Sequence, residues 1–165
     1  MITVEGTIKE IVETLPNVLT NNVNKVNYTF GTTEQIIDYL KQKRNEHTTA
    51  YPLVMLETPI EASYKFNQIE VSSLTIIIAT LSKSSMSNTE RLDTTFDKVL
   101  FVVKDNLIQA LKQSGKTFIT SDEIKQTLYF NYGEQEHTAT DVWDAIKIQI
   151  DITIKDKCLR QINYN

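Results

Sequence analysis

Between Ala145 and Lys155, the isoleucines Ile146, Ile148, Ile150, Ile152 and Ile154 alternate with Lys147, Gln149, Asp151, Thr153 and Lys155. Successive side chains of a strand point to opposite faces, so this run demands a sheet with one dry side and one wet side. A dry sheet face must be covered. The chain supplies a cover in the stripe Leu92, Phe96, Val99, Leu100, Val103, Leu107 and Leu111, whose spacing of three and four predicts a long amphipathic helix. Ser87 and Glu90 have the spacing of a capping box at its start, and Gly115 supplies a stop. Phe101, Val102 and Ile108 lie off the stripe, where they either widen the buried face or meet a second chain.

The remaining elements follow from the same two periods. Val4, Ile8, Ile11, Val12 and Leu15 predict a first helix ended by Pro16, and Val26, Tyr28 and Phe30 a short strand or extended arm closed by Gly31. A second helix is expected over 33–46, with Thr32 and Gln35 as its capping box. Tyr51 to Glu57 reads as a strand inside the sheet, and Leu74 to Leu81, rich in β-branched residues, as its central strand. Between them, Ile60, Ala62, Tyr64 and Phe66 alternate as in an edge ribbon or folded-over loop. A further strand is expected over Thr127 to Tyr132, antiparallel to the isoleucine strand and joined to it by a protruding loop.

The expected fold is therefore α/β, of the α+β kind: a mixed, mainly antiparallel sheet of about four to five strands, packed against one long helix with two N-terminal helices. At 165 residues a single domain is expected over 1–165, with a helical and arm region at 1–46, a core at 51–155 and a tail at 156–165.

Composition narrows the chemistry. A net charge of −4 opposes a protein whose task is to grip phosphate, and the short basic cluster Lys41, Lys43 and Arg44 suits a solvated helix end. With four glycines and no phosphate-cradling or hydrolase motif, nucleotide binding is not expected. The lone Cys158 offers neither a disulfide nor a zinc site, and His47 and His137 read as surface residues. The start lacks the pattern of a signal peptide and no run is long and apolar enough to span a membrane, so a cytoplasmic chain is expected.

Two constellations carry catalytic possibilities. Glu123 and Lys125 have the acid-x-Lys spacing of a Mg²⁺-dependent nuclease core, but Asp105, the nearest Asp before the 121–125 segment, falls within the long helix; a capped turn at Ser121, Asp122 and Glu123 accounts for the same residues. Asp141, Asp144 and Asp151 near His137 offer oxygen ligands to a hard metal, yet Asp144 and Asp151 would face opposite sides of one strand, and a solvated loop and strand start is the simpler account. Trp143 reads as a core or interface anchor. No catalytic, cofactor or metal residue is assigned, and the chain is expected not to be an enzyme.

In order, the elements are helix, extended arm, helix, the YPLVMLE strand, the LTIIIATL strand, a long helix and two closing strands ending in DVWDAIKIQIDITI. That order resembles the tail terminator and neck-ring proteins of tailed bacteriophages, over about residues 33 to 155. The matching pieces are Tyr51 to Leu56, Leu74 to Leu81, Arg91 to Leu111 and Val142 to Ile154. The extra portions 21–46 and 58–73 resemble insertions of larger neck-ring subunits, including those of crAss-like phages. The resemblance implies a virion protein assembled in the host cytoplasm that closes into a sixfold or twelvefold ring, meets portal, neck or tail proteins and leaves a channel for DNA. Interface residues are expected in the 58–73 ribbon (Tyr64, Phe66), the 133–141 loop with its flank (Glu134, Glu136, His137, Asp141, Trp143) and the tail (Arg160, Tyr164). A Mg²⁺-dependent nuclease and a generic α/β adaptor are the alternatives.

Overall fold

The computed structural model describes residues 2–18, 25–46, 50–131 and 143–164. These residues form an α+β fold: a seven-stranded mixed sheet and three helices, the longest spanning 26 residues. The helices are α1 (Val4–Val12), α2 (Thr33–Asn45) and α3 (88–113). The strands are β1 (Asn27–Gly31), β2 (Leu53–Glu57), β3 (Glu61–Lys65), β4 (Gln68–Leu81), β5 (Thr117–Ile119), β6 (Lys125–Tyr129) and β7 (Trp143–Lys155).

The expected count of four to five strands is corrected by these seven. Two short pieces were hidden. The 58–73 stretch is a hairpin, in which β3 turns through Phe66 and Asn67 into the first half of a β4 that begins at Gln68 rather than Leu74. β5 has three residues, too few for a period to emerge from sequence. The strand expected over 127–132 runs over Lys125–Tyr129 instead.

Strand order is β1-β2-β4-β7-β5, with β3 also pairing with β4 and β6 with β7. Every pairing is antiparallel except β1 with β2. Those two are parallel because α2 carries the chain back between them, as a parallel connection requires. The arrangement of the two N-terminal helices is corrected by the same connection. α1 joins α3 over the face that carries Val54, Leu56, Ile76, Ile78 and the isoleucines of β7. α2 lies across the sheet, where Ile36 and Leu40 pack with Tyr51, Leu53, Met55, Ile77, Trp143 and Ala145.

The isoleucine alternation behaves as expected: Ile146, Ile148, Ile150, Ile152 and Ile154 are all buried beneath α1 and α3. Each contributes roughly 2 kcal/mol of transfer free energy on that basis. α3 begins at a capping box on Ser87 and Glu90. Its middle, Leu92–Leu100, is wound as a π-helix, and Leu92 is turned partly to solvent, off the stripe that its spacing implied. Residues 157–164 have no regular structure and lie along the domain. Leu159, Ile162 and Tyr164 pack on the core, and the Arg160 N–H donates to Ser114 O at 2.9 Å.

Candidate functional site

Because α2 covers one end only of its side of the sheet, the rest of that face is open and polar. Lys147 pairs with Glu57 at 3.2 Å and Lys65 with Glu70 at 2.7 Å, while the Lys155 ammonium sits 4.7 Å from the Phe118 ring centroid. The signs are mixed along both long strands, so no single-sign field builds up over this surface.

On its margin lies an open cleft of about 630 Å³ lined by Ser73, Thr120, Ser121, Asp122, Glu123, Lys125, Gln149, Ile150 and Asp151. Its geometry starts from a bulge in β4. Val71 pairs with Ile152 and Leu74 with Ile150, leaving one extra residue between them, and Ser73 takes a φ of 52°. Asp151 Oδ1 accepts the Ser73 N–H at 2.7 Å, the Asp151 N–H donates to Ser121 Oγ at 3.2 Å, and the Thr120 N–H donates to Asp151 O at 2.9 Å. Asp151 thus fastens the bulge and the 120–121 turn. Glu123 and Lys125, the nuclease-like pair, line the same cleft as Asp122 and Asp151, which sequence spacing did not foretell. Among the described residues no three His, Cys, Asp or Glu side chains converge as a metal-binding set.

The second built constellation is buried. Arg91 and Asp144 are both 0% exposed and meet at 2.8 Å. Arg91 also donates to Met86 O, Ser82 Oγ and Lys83 O, so the guanidinium ties the 82–86 turn to the start of α3. Asp144 accepts further from Thr95 Oγ1 and the Asn131 N–H. The expectation that Asp144 is a solvated strand-start carboxylate is corrected here. Odd spacing does hold Asp144 and Asp151 on opposite faces, and Asp144 is the one beneath α3. The signal was present in sequence only as an Arg at a helix start and an Asp next to a Trp.

The expected interface residues separate into distinct settings. Tyr64 is 71% exposed and Phe66, at the β3–β4 turn, 93%. Trp143 is buried against Tyr51, ring centroids 6.2 Å apart, which makes it a core residue of this chain rather than an interface residue. The Arg160 side chain lies beside Gly115, and the Tyr164 hydroxyl bonds Thr14 Oγ1 at 2.7 Å. Glu134, Glu136, His137 and Asp141 lie outside the described residues, as do His47 and Tyr132. Phe30 and Phe118, on β1 and β5, are further exposed aromatics, neither of them among the expected interface residues.

Among the described residues, three ionisable groups are perturbed. Burial pushes the Tyr28 hydroxyl up, with the charge of Glu5 adding to it, and the same two causes, with Glu46 as the charge, raise Tyr39. The Glu90 carboxyl is held below its ordinary value by the backbone N–H of Ser87 first and its hydroxyl second. None of the three lies in the cleft. Among the described residues no helix is long and apolar enough to cross a membrane. No family model matches the chain, and no curated protein matches it in sequence.

Proposed function

We propose that the chain is a structural subunit of a tailed-bacteriophage neck, of the tail-terminator or neck-ring kind. In this reading it closes into a ring of six or twelve copies, bonds to portal, neck or tail proteins, leaves a channel for DNA and carries out no catalysis. It is assembled in the host cytoplasm and resides in the virion.

The observation that carries the reading is the order of elements around one dry-sided sheet: helix, strand, helix, strand, hairpin, long helix and closing antiparallel strands. Two features support it. The exposed aromatics Phe30, Tyr64 and Phe66 sit on an outer strand and the hairpin, as contact surfaces between subunits require. The open face and the net charge of −4 suit a wall beside DNA, since a mixed or acidic surface does not hold phosphates.

Electron micrographs of the purified protein, alone and mixed with the products of its neighbouring genes, test the reading. Rotationally symmetric rings are the expected result. Single particles in every mixture would contradict it.

One observation favours the nuclease alternative, namely the cleft that gathers Asp122, Glu123, Lys125 and Asp151. Incubation with plasmid and Mg²⁺ separates the two readings. Cleavage lost on Glu123→Gln supports the enzyme, and intact plasmid supports the ring subunit.

A further inference from the structure

The hairpin strand β3 pairs with β4 on one side, and among the described residues no strand pairs with its other edge. Such an edge is a template for another chain, and proteins usually guard it with charge. In β3 the charges are placed symmetrically. Glu61 and Lys65 stand two residues on either side of Ser63, and Ala62 and Tyr64 one residue on either side. Just outside them stand Ile60 and Phe66, the latter 93% exposed with no explanation inside its own subunit.

We propose that β3 is an interface between two copies of this chain, paired edge to edge and antiparallel about a twofold axis through Ser63. In that register Glu61 lies opposite Lys65 of the second copy, Ala62 opposite Tyr64, and Ile60 opposite Phe66, each contact occurring twice by symmetry. Every opposed pair is complementary: acid to base, small to aromatic, apolar to apolar. Lys65, already 2.7 Å from Glu70, would then lie between two carboxylates. Glu61, Ser63 and Lys65 pair with Ser72, Glu70 and Gln68 of β4, so their side chains share the open polar face. The alternate residues, Ala62 and Tyr64, pair with Val71 and Ile69 on the helix-covered side. A slip of one residue would set each strand's polar side against the other's apolar side, and a slip of two would break both ion pairs. The contact is isologous, so it goes beyond ring closure, which needs a heterologous contact elsewhere on the subunit.

Light scattering after size exclusion is the test, read as a halving of mass whatever assembly the wild-type protein forms. Glu61→Lys and Lys65→Glu each place like charges opposite twice and are expected to weaken the contact about tenfold or more. The double variant Glu61→Lys/Lys65→Glu restores opposite signs in the same register and is expected to recover association. In a Cys158→Ser background, Ser63→Cys is expected to oxidise to a covalent dimer faster than Glu61→Cys, because only position 63 faces itself. Wild-type mass unchanged by both single variants, or a double variant no better than the singles, would overturn the proposal. So would crosslinking at 61 as fast as at 63. Rings that persist at half the mass leave the ring reading standing, whereas twofold dimers without rings leave only this one.

Discussion

Arg91 Nη1 and Asp144 Oδ1 sit 2.8 Å apart with both side chains withdrawn from water, joining the first turn of α3 to the start of β7. Around them Ser82, Met86 and Lys83 accept from the guanidinium, and Thr95 and Asn131 donate to the carboxylate. Removing one partner strands the other charge. Arg91→Met or Asp144→Leu alone is expected to cost about 3–5 kcal/mol, whereas the double substitution is expected to cost much less because no buried charge is left. Urea denaturation of the three variants checks this, and additive losses would show that the pair is not coupled.

Phe96 is fully buried on the sheet-facing side of α3, with its ring 4.7 Å from that of Phe130, and Phe66 stands almost wholly in solvent. Phe96→Ala is expected to cost about 3–5 kcal/mol through lost transfer energy and the cavity left behind. Phe66→Ser is expected to stay within about 0.5 kcal/mol in the isolated chain. The same denaturation measurement tests both.

These two phenylalanines also show what a sequence can disclose. Phe96 belongs to a stripe repeated over several turns, and the isoleucines of β7 to an alternation repeated over the whole strand, so each period is overdetermined and each burial was foreseeable. Both capping boxes were legible because the hydroxyl and the carboxylate or amide stand a fixed three residues apart. The first half of β4 was not legible, since the bulge between Val71 and Leu74 shifts the alternation by one residue and breaks the pattern where it would have been read. β5 is too short to carry a period. The cleft brings Ser73, Glu123 and Asp151 together from three parts of the chain, and only the sheet register makes them neighbours. Asp144 looks solvated in sequence because its partner Arg91 is 53 residues away, a separation that local patterns cannot bridge.

Gly115 ends α3 with a φ of +74°, and a Cβ there would lie 2.8 Å from Arg160 Nε. The Arg160 side chain can swing aside, so the backbone conformation sets most of the cost. Gly115→Ala is expected to lose about 1–2 kcal/mol and Gly115→Asn less, because Asn tolerates the left-handed region. Thermal unfolding in parallel with wild type measures the difference.

Glu90 supplies a pH-dependent contribution. Its folded carboxyl titrates below the ordinary value, so the cap's stabilisation is complete above that ordinary value and fades as pH falls through the folded one. Glu90→Gln is expected to narrow its stability gap to wild type as urea midpoints are followed from about pH 7 down to about pH 3.

Tyr28 acts at the opposite end of the scale. Its hydroxyl, donating to Glu5 O at 3.1 Å, keeps its proton in the folded chain above the ordinary value of 10.0. Unfolded chains lose theirs there, so stability is expected to fall as pH rises past that value, and less steeply in Tyr28→Phe. Denaturation midpoints on the alkaline side read the slope.

The most direct test of the subunit reading is the mass of the protein in solution, determined by light scattering across a wide concentration range and with neighbouring neck and portal proteins added. A mass six or twelve times that of one chain, or twice that where β3 edges join two rings, is the predicted result. A single-chain mass at every concentration, unchanged by any of those partners, would contradict it.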